Sequence, residues 1–478
     1  MAFTDLGFAL FAGVLLLLYY KIPCRFQWLL LLMASLAFYL SAGVGFLFFL
    51  LFPTLTAFFA ARQMAGIAEK GKRRPILVLT LIANFGILAI CKARFSFQGI
   101  ALPLGISFYL FQTMGFLLDV YRGTAKPERN FLKFSLFVSW FPLMIQGPIC
   151  KYQNLLPQLL APHRYDSRQV AFGCQRMLWG YFKKLVIADR MTPAVLALKG
   201  ETGPGFFLLS LLYAIQIYAD FTGGIDIAIG LSQAFGITLP ENFKHPFFSK
   251  SIAEFWRRWH ITLGEWMKAY IFFPVSVSRP MLRLSKFARQ KWGNFGRRLP
   301  VYIATAVTWF ATGIWHGLTP NFVLWGMLNC FFILLSEELA PLYKKFHSSV
   351  KICGTKWYGS FQVLRTFVLM NLIRVCDLFP NPGDYFHRLG SLFTDFHWNL
   401  TLSQLGLTSL DVIILAGGTG LMFTVSLIRE KRGSIRELLW SIPWPVRYVL
   451  TFGLFLTILL LGRYGVGYDA SSFIYNQF

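Results

Sequence analysis

Long apolar runs, separated by short stretches rich in Lys and Arg, set the pattern of this chain from its start. Leu6–Tyr20, Trp28–Leu40, Gly45–Ala61 and Ile76–Lys92 follow one another. Further runs fall near 167–191, 205–218, 300–317, 321–338, 361–379, 410–428 and 446–462. A helix needs about 20 apolar residues to cross a bilayer. The pattern therefore predicts an all-α, polytopic membrane protein with about eleven spanning or partly spanning helices. Two runs are interrupted. PLGISFYLFQTMGFLLDVYRG (103–123) contains Gly, Gln and Pro and predicts a broken or tilted helix buried within protein. FSLFVSWFPLMIQGPICKY (134–152) ends in Gly-Pro and predicts a re-entrant segment. In YADFTGGIDIAIG (218–230), Asp220, Asp226 and the paired glycines predict a helix cap or break rather than catalysis. The first run lacks a preceding basic region and leads straight into further spans, unlike a cleavable signal. No tandem repeat or linker divides residues 1–478, which read as a single membrane domain.

Composition agrees with the pattern. Charged residues are 14% of the 478, against roughly 25% in ordinary globular proteins. Hydrophobic residues are 56% and aromatic residues 18%. A soluble fold could not cover its surface with so few charges, which excludes a soluble enzyme, a secreted mini-protein and a disordered chain. The net charge of +25 is carried in the stretches between apolar runs. That is the positive-inside arrangement, which also attracts anionic lipid headgroups. It leaves no soluble basic face for nucleic acid. Residues 62–74 carry five cations against Glu69, and the loop 279–298 carries seven with no acid; both are expected in the cytoplasm, as is 429–447. The loop 380–411, with Arg388 against Asp384, Asp395 and Asp411, is expected outside, as is the C-terminal tail with FIYNQF (473–478). The seven cysteines, with no CxxC, read as small buried hydrophobes rather than disulfides or metal ligands.

Ionisable side chains at membrane depth are costly and default to functional candidates. His316 closes an apolar run in TWFATGIWHGLTPNFVLWG (308–326), and Gly317 and Pro320 after it predict a helix end. A break at depth is tolerated beside protein or a wet cavity, so the imidazole reads either as facing a cavity or as a core histidine bonded to a backbone carbonyl. His260 lies in KSIAEFWRRWHITLGEWMKAYIFFP (250–274), where apolar residues at Ile252, Phe255, Trp256, Trp259, Leu263, Trp266, Met267 and Tyr270 predict one amphipathic helix along the membrane boundary. Its other face carries Glu254, Arg257, Arg258, Glu265 and Lys268, with Glu254 and Arg258 spaced to pair. His260 points with the buried face and reads as a functional group or as a satisfied interfacial histidine. There is no P-loop, nucleophile elbow or HExxH pattern.

These fragments together resemble the membrane-bound O-acyltransferase superfamily, and within it the bacterial alginate O-acetylase branch. The likeness runs through PLGISFYLFQTMGFLLDVYRG (103–123), FPLMIQGPICKY (141–152), YADFTGGIDIAIGL (218–231), ENFKHPFFSKSIAEFWRRWHITLGEW (241–266), GIWHG (313–317), FVLWG (322–326) and FIYNQF. The resemblance implies a ring of tilted helices around a pore-like core, with 240–330 as the catalytic core region. It implies His316, of the WHG motif, as the catalytic histidine and His260 as a second functional position. It further implies acyl transfer to an acceptor outside the cytoplasm, in a bacterial cytoplasmic membrane, with an extracytoplasmic SGNH-type partner. Two departures bear on donor and acceptor. Asn329 stands where the branch often has a second histidine after FVLWG, and SVSR (276–279) replaces a Gly-Gly-Asn-Arg turn.

The chemistry expected on this reading is direct. A neutral imidazole at His316 takes the proton of an attacking hydroxyl, and His260 orients it or polarises the carbonyl of an acyl thioester. The donor is acetyl-CoA or an acyl carrier protein thioester, used as substrate, with no bound cofactor. Arg257, Arg258, Trp256 and Trp315 line its expected path, although the arginines read equally as phospholipid contacts. D-alanyl transfer to a teichoic-acid-type acceptor, a transporter and a non-catalytic scaffold are the alternatives.

Overall fold

The computed structural model describes residues 2–350, 352, 355–398, 400–465 and 473. Helices dominate them. No strand occurs among the described residues, and the one isolated β-bridge joins Phe243 to Trp259. Among the described residues, six helices are long and apolar enough to cross a membrane: Val44–Ala65, Lys70–Gln98, Gly203–Ala234, Pro320–Glu338, Ser409–Arg432 and Trp444–Leu461. Leu6–Lys21 and Cys24–Leu40 are shorter apolar helices. Their burial differs sharply. The apolar window of Gly203–Ala234 is 72% buried, whereas that of Trp444–Leu461 is 6% buried. A helix that exposes Val449 and Leu460 so fully is built for a lipid face rather than for water. The chain is an all-α, multi-pass membrane protein.

The described residues form two compact units, one of 1–190, 216–241 and 411–478 and the other of 191–215 and 242–410. In the first unit, two sequence expectations change. Residues 103–123 do not form a broken helix. Ile106–Arg122 is continuous, and its Gln112 and Gly115 are accommodated because every residue from Ile106 to Leu117 is buried against protein. Residues 134–152 do break, as expected. The helix Phe131–Ser139 gives way to the single turn Pro142–Ile145, and the chain is extended from Gln146 to the Tyr152–Leu160 helix. Asp220 and Asp226 neither cap nor break a helix, since Gly203–Ala234 runs through both. Lys184 Nζ lies 2.6 Å from Asp220 and 2.9 Å from Asp189. Asp226 receives Lys183 Nζ at 2.7 Å and Arg176 Nε at 2.8 Å, and Arg176 reaches Glu241 through both Nη atoms at 2.6 Å. Ion pairing lets these charges stay inside, so a mid-helix acid costs no helix end.

Glycine spacing sets how closely these elements approach. Gly173 and Gly180 face Gly230 and Gly223, seven residues apart on each side and in opposite order. A Cβ at Gly180 would stand 2.6 Å from Gly223 O, and one at Gly173 would stand 2.5 Å from Gly230 O. Small residues at such crossings let backbones meet. The π-helical segment Phe182–Ala188 follows, and it presents the consecutive Lys183 and Lys184 to different acids. Gly180→Ala is expected to destabilise the protein by about 1–3 kcal/mol through overpacking. Gly86→Ala, where a Cβ meets nothing within 4 Å, is the control and should melt like the parent. Thermal melting in detergent compares the two.

In the second unit, the segment 279–298 is not a loop. It is helical, part of Arg279–His316, with non-helical backbone at Trp292 and Gly293. Most of its cations are exposed, and Arg298 pairs with Glu338 at 2.7 Å. The region 380–411 likewise contains a helix, Pro382–Ser391. Of FIYNQF, only Phe473 lies among the described residues, and the C-terminal end lies outside them, as does Cys353.

Candidate active site

The Arg279–His316 helix ends where the sequence predicts. Gly317 is extended, and the next helix starts at Pro320 after a three-residue turn. The two helices double back closely. A Cβ at Gly313 would lie 2.6 Å from Phe322 O, and one at Gly326 would lie 2.5 Å from Trp309 O. The glycines of GIWHG and FVLWG therefore bring His316 and Trp325 together. The His316 ring, 4% exposed, is 4.7 Å from the Trp315 ring, 4.7 Å from the Trp325 ring, and stacked on Phe322 at 6.4 Å.

His260 reaches the same neighbourhood by another route. The continuous helix expected over 250–274 is broken at this residue. Ile252–Arg258 and Ile261–Met267 are separate helices, and the next segment, Lys268–Phe272, is π-helical. His260 itself is left-handed, at φ 46° and ψ 52°. For a residue with a side chain that conformation costs about 1–2 kcal/mol. Offsetting bonds come from the strand-like stretch before it. Lys244 N donates to Arg258 O and Ile261 N to Asn242 O, while Phe243 bridges Trp259. The break turns the imidazole inward, 2% exposed and 6.1 Å from the Trp315 ring. Both histidines thus stand against one indole.

The partner of His260 fixes its tautomer. Asn242 Oδ1 accepts from Thr262 N at 3.0 Å and from Thr262 Oγ1 at 3.0 Å, so this atom is the carboxamide oxygen. His260 Nδ1, 3.3 Å from the same oxygen, then carries the proton, and Nε2 presents a lone pair. His260 lies outside the six span-capable helices. Burial, reinforced by the positive charge of Arg374, pushes its imidazole down to about 3. The ring is neutral at physiological pH. A neutral Nε2 lone pair can hold a hydroxyl proton but repels a carbonyl oxygen, so orienting a hydroxyl suits it and polarising a thioester does not.

The remaining expected site residues divide. Trp256 is held in place: its Nε1 donates to Asn329 Oδ1 at 3.0 Å, and its ring meets Trp309 at 4.8 Å and Trp325 at 5.6 Å. Asn329, the residue at the departure from the branch, is thereby a brace for the aromatic wall, and its Nδ2 donates to Trp325 O. Trp315 lies between the two imidazoles in the sense just given. Arg258 makes the expected pair with Glu254 at 2.7 Å, and Arg257 is exposed, so neither guanidinium joins the buried cluster.

Sequence reasoning missed Asn242, Trp325 and Arg374. Arg374 ends the Lys356–Arg374 helix, where the helix dipole favours a cation. Its guanidinium lies 5.1 Å from the Trp259 ring and 5.2 Å from the Trp325 ring, and its Nη1 is 3.2 Å from Asp377 Oδ2. The following turn is tied to the His316 hairpin, because Asn321 Nδ2 donates to Asp377 O at 2.9 Å. The signal was present: an arginine and an aspartate three apart inside the apolar run 361–379.

Two histidines, a buried cation and a wall of indoles form a buried cluster with groups that can handle a proton, in an all-α multi-pass membrane protein. The model of the MBOAT, membrane-bound O-acyltransferase family, matches residues 125–370. A probable alginate O-acetylase of Pseudomonas syringae pv. tomato is 31% identical over 433 residues, covering 85% of this chain and 78% of its own. The peptidoglycan O-acetyltransferase of Helicobacter pylori is 28% identical, covering 81% and 82%. The teichoic acid D-alanyltransferase of Bacillus subtilis is 25% identical, covering 55% and 65%. This chain belongs to the membrane-bound O-acyltransferase family. It is an O-acyltransferase, so the transporter and scaffold alternatives fall away.

Proposed function

We propose that this protein is an O-acetyltransferase that moves an acetyl group from a cytoplasmic thioester towards an exported polysaccharide, with His316 as the general base. The observation carrying this reading is the convergence of His316 and His260 on Trp315, with His260 held in one neutral tautomer by Asn242. The hydroxyl of the acceptor gives its proton to His316 as its oxygen attacks the thioester carbonyl, and His260 Nε2 accepts from a second hydroxyl of the polysaccharide, which holds the first in line. A neutral imidazole is the form that a general base requires. Trp256 and Trp315 line the way of the donor, acetyl-CoA or an acyl carrier protein thioester. The exposed cations at Arg257 and along 279–297, with the half-buried Arg258, draw in its negative charge. An SGNH-type partner outside a bacterial inner membrane receives or finishes the product. Greater identity and coverage against the two acetylases favour acetyl over D-alanyl transfer.

The test uses membranes containing the protein, supplied with radiolabelled acetyl-CoA or with acetyl carrier protein. Label is expected as base-labile ester in the polysaccharide fraction. Labelling from D-alanyl carrier protein alone would transfer the assignment to the D-alanyl reading.

His260→Asn separates chemistry from backbone. Asparagine tolerates the left-handed conformation better than most residues. The variant is expected to fold normally and to lose about 10–100-fold in rate, in the manner of a positioning group. Its rate is expected to follow the same pH profile as the parent between about 5 and 8, because the imidazole removed does not titrate there. A flattened profile in this variant would contradict that role.

A further inference from the structure

The proposed mechanism leaves one task without an owner. When a hydroxyl adds to a thioester, the carbonyl oxygen becomes an anion, and an enzyme places hydrogen-bond donors where that charge appears. His260 presents a lone pair, and His316 is occupied with the proton.

We propose that Arg374 is the electrophile of this site: its guanidinium Nη2, together with the indole N–H of Trp325, receives the acyl carbonyl oxygen and stabilises the oxyanion. The proposal rests on the O-acyl transfer reading above and adds a catalytic residue to it.

Four observations support the assignment. Arg374 is 5% exposed, and among the described residues it pairs with Asp377 through a single contact, Nη1 to Oδ2 at 3.2 Å, so the carboxylate does not take up the whole guanidinium fork. Nη2 is buried with no hydrogen-bond partner among the described residues. Trp325 is 1% exposed, and its Nε1 is likewise buried with none. Asn371, one helical turn before Arg374, adds a third buried donor, Nδ2, in the same condition. A buried donor left unsatisfied costs about 1–3 kcal/mol, and more when charged, so these donors favour an acceptor that enters the site, although the free Oδ1 of Asp377 competes for the guanidinium. The position fits a carbonyl beside the base. Trp325 has the His316 ring 4.7 Å from it and the Arg374 guanidinium 5.2 Å from it. The guanidinium also lies 5.1 Å from the Trp259 ring and 5.2 Å from the Trp325 ring, cation–π contacts that hold it without using its N–H groups.

The step balances. The acceptor oxygen forms a bond to the carbonyl carbon while its proton passes to His316. The π pair of the carbonyl moves onto its oxygen, which Arg374 Nη2 and Trp325 Nε1 hold. On collapse the carbonyl re-forms, the C–S bond breaks, and the leaving thiolate takes the proton from the imidazolium. Ester and thiol are the products, and both histidines end neutral.

The experiment measures steady-state thiol release from acetyl-CoA by the purified full-length protein with a hydroxyl acceptor, in parent, Arg374→Met, Arg374→Ala, Trp325→Phe and His316→Gln proteins of matched melting temperature. Arg374→Met is expected to lose about 10²–10³-fold in kcat with little change in KM for the donor. Added methylguanidinium should restore part of the activity of Arg374→Ala, whose space it can enter, and none of that of Arg374→Met. Trp325→Phe, which keeps a ring and removes one N–H, should lose about 10-fold or more. If Arg374 variants do not fold, the Trp325→Phe rate decides. A parent-like kcat in Arg374→Met, or in Trp325→Phe where that variant decides, overturns the electrophile assignment while a dead His316→Gln leaves the transfer reading intact. No transfer by the parent, or full transfer by His316→Gln, would sink that reading instead.

Discussion

Membranes carrying His316→Ala are expected to acylate the exported acceptor about 10²–10⁴-fold more slowly than membranes carrying the parent, at equal amounts of inserted protein. The size of the effect follows from what is removed. Without a positioned base, the hydroxyl must lose its proton to whatever water reaches a ring that is 4% exposed and walled by Trp315, Phe322 and Trp325. The fold should tolerate the change. His316 is the last residue of its helix, and the close crossing beside it depends on Gly313 and Gly326 rather than on the imidazole. The measurement is ester content of the polymer against protein level by immunoblot. Transfer within threefold of the parent would remove His316 from the chemistry.

Asp226→Ala is expected to be the most destabilising single change in the first unit, costing about 3–5 kcal/mol. Lys183 is 4% exposed and Arg176 is 7% exposed, and both lean on this carboxylate. Its removal leaves Lys183 with Thr222 Oγ1 and no acid among the described residues that contact it, inside a helix pair closed by glycine contacts at 173–230 and 180–223. Arg176 is cushioned by Glu241. The double variant Lys183→Met/Asp226→Leu should therefore recover most of the loss, because an ion pair replaced as a whole by apolar groups carries no stranded charge. Melting temperature and the monodisperse fraction in detergent report both. A double variant no more stable than Asp226→Ala would mean that the two side chains act separately.

How much of this was legible in the sequence depends on the length scale of the signal. Spans read well because apolar length is summed over about 20 residues, and the helix end at His316 read well because Gly317 and Pro320 mark it locally. The failures share a cause. Residues 103–123 carried apparent breakers, yet burial on all sides supplied the packing that keeps Ile106–Arg122 continuous. Asp220 and Asp226 looked like caps because their cations lie about 40 residues earlier in the chain, beyond any local window. The helix expected over 250–274 ignored Asn242, whose bonds to Ile261 and Thr262 go with the departure of Trp259 and His260 from helical geometry. At the candidate site, the motifs pointed to His316, His260, Trp256 and Trp315, which the structure brings near one another, but not to Trp325. Arg374 escaped because its meaning comes from two rings, Trp259 and Trp325, that stand 115 and 49 positions away by count of residue numbers. The segment 279–298 was read as a loop from charge alone, although charge and helicity are independent on an exposed face.

The central claim is that one imidazole accepts the proton of an attacking hydroxyl while a thioester gives up its acyl group. Purified protein given a thioester donor and a hydroxyl acceptor, followed by free-thiol appearance in the first turnovers, tests it most directly. Thiol release that requires the acceptor in the parent, and is absent from an equally stable His316→Ala protein, is the predicted result. Acceptor-dependent release at the same rate from both proteins would contradict it.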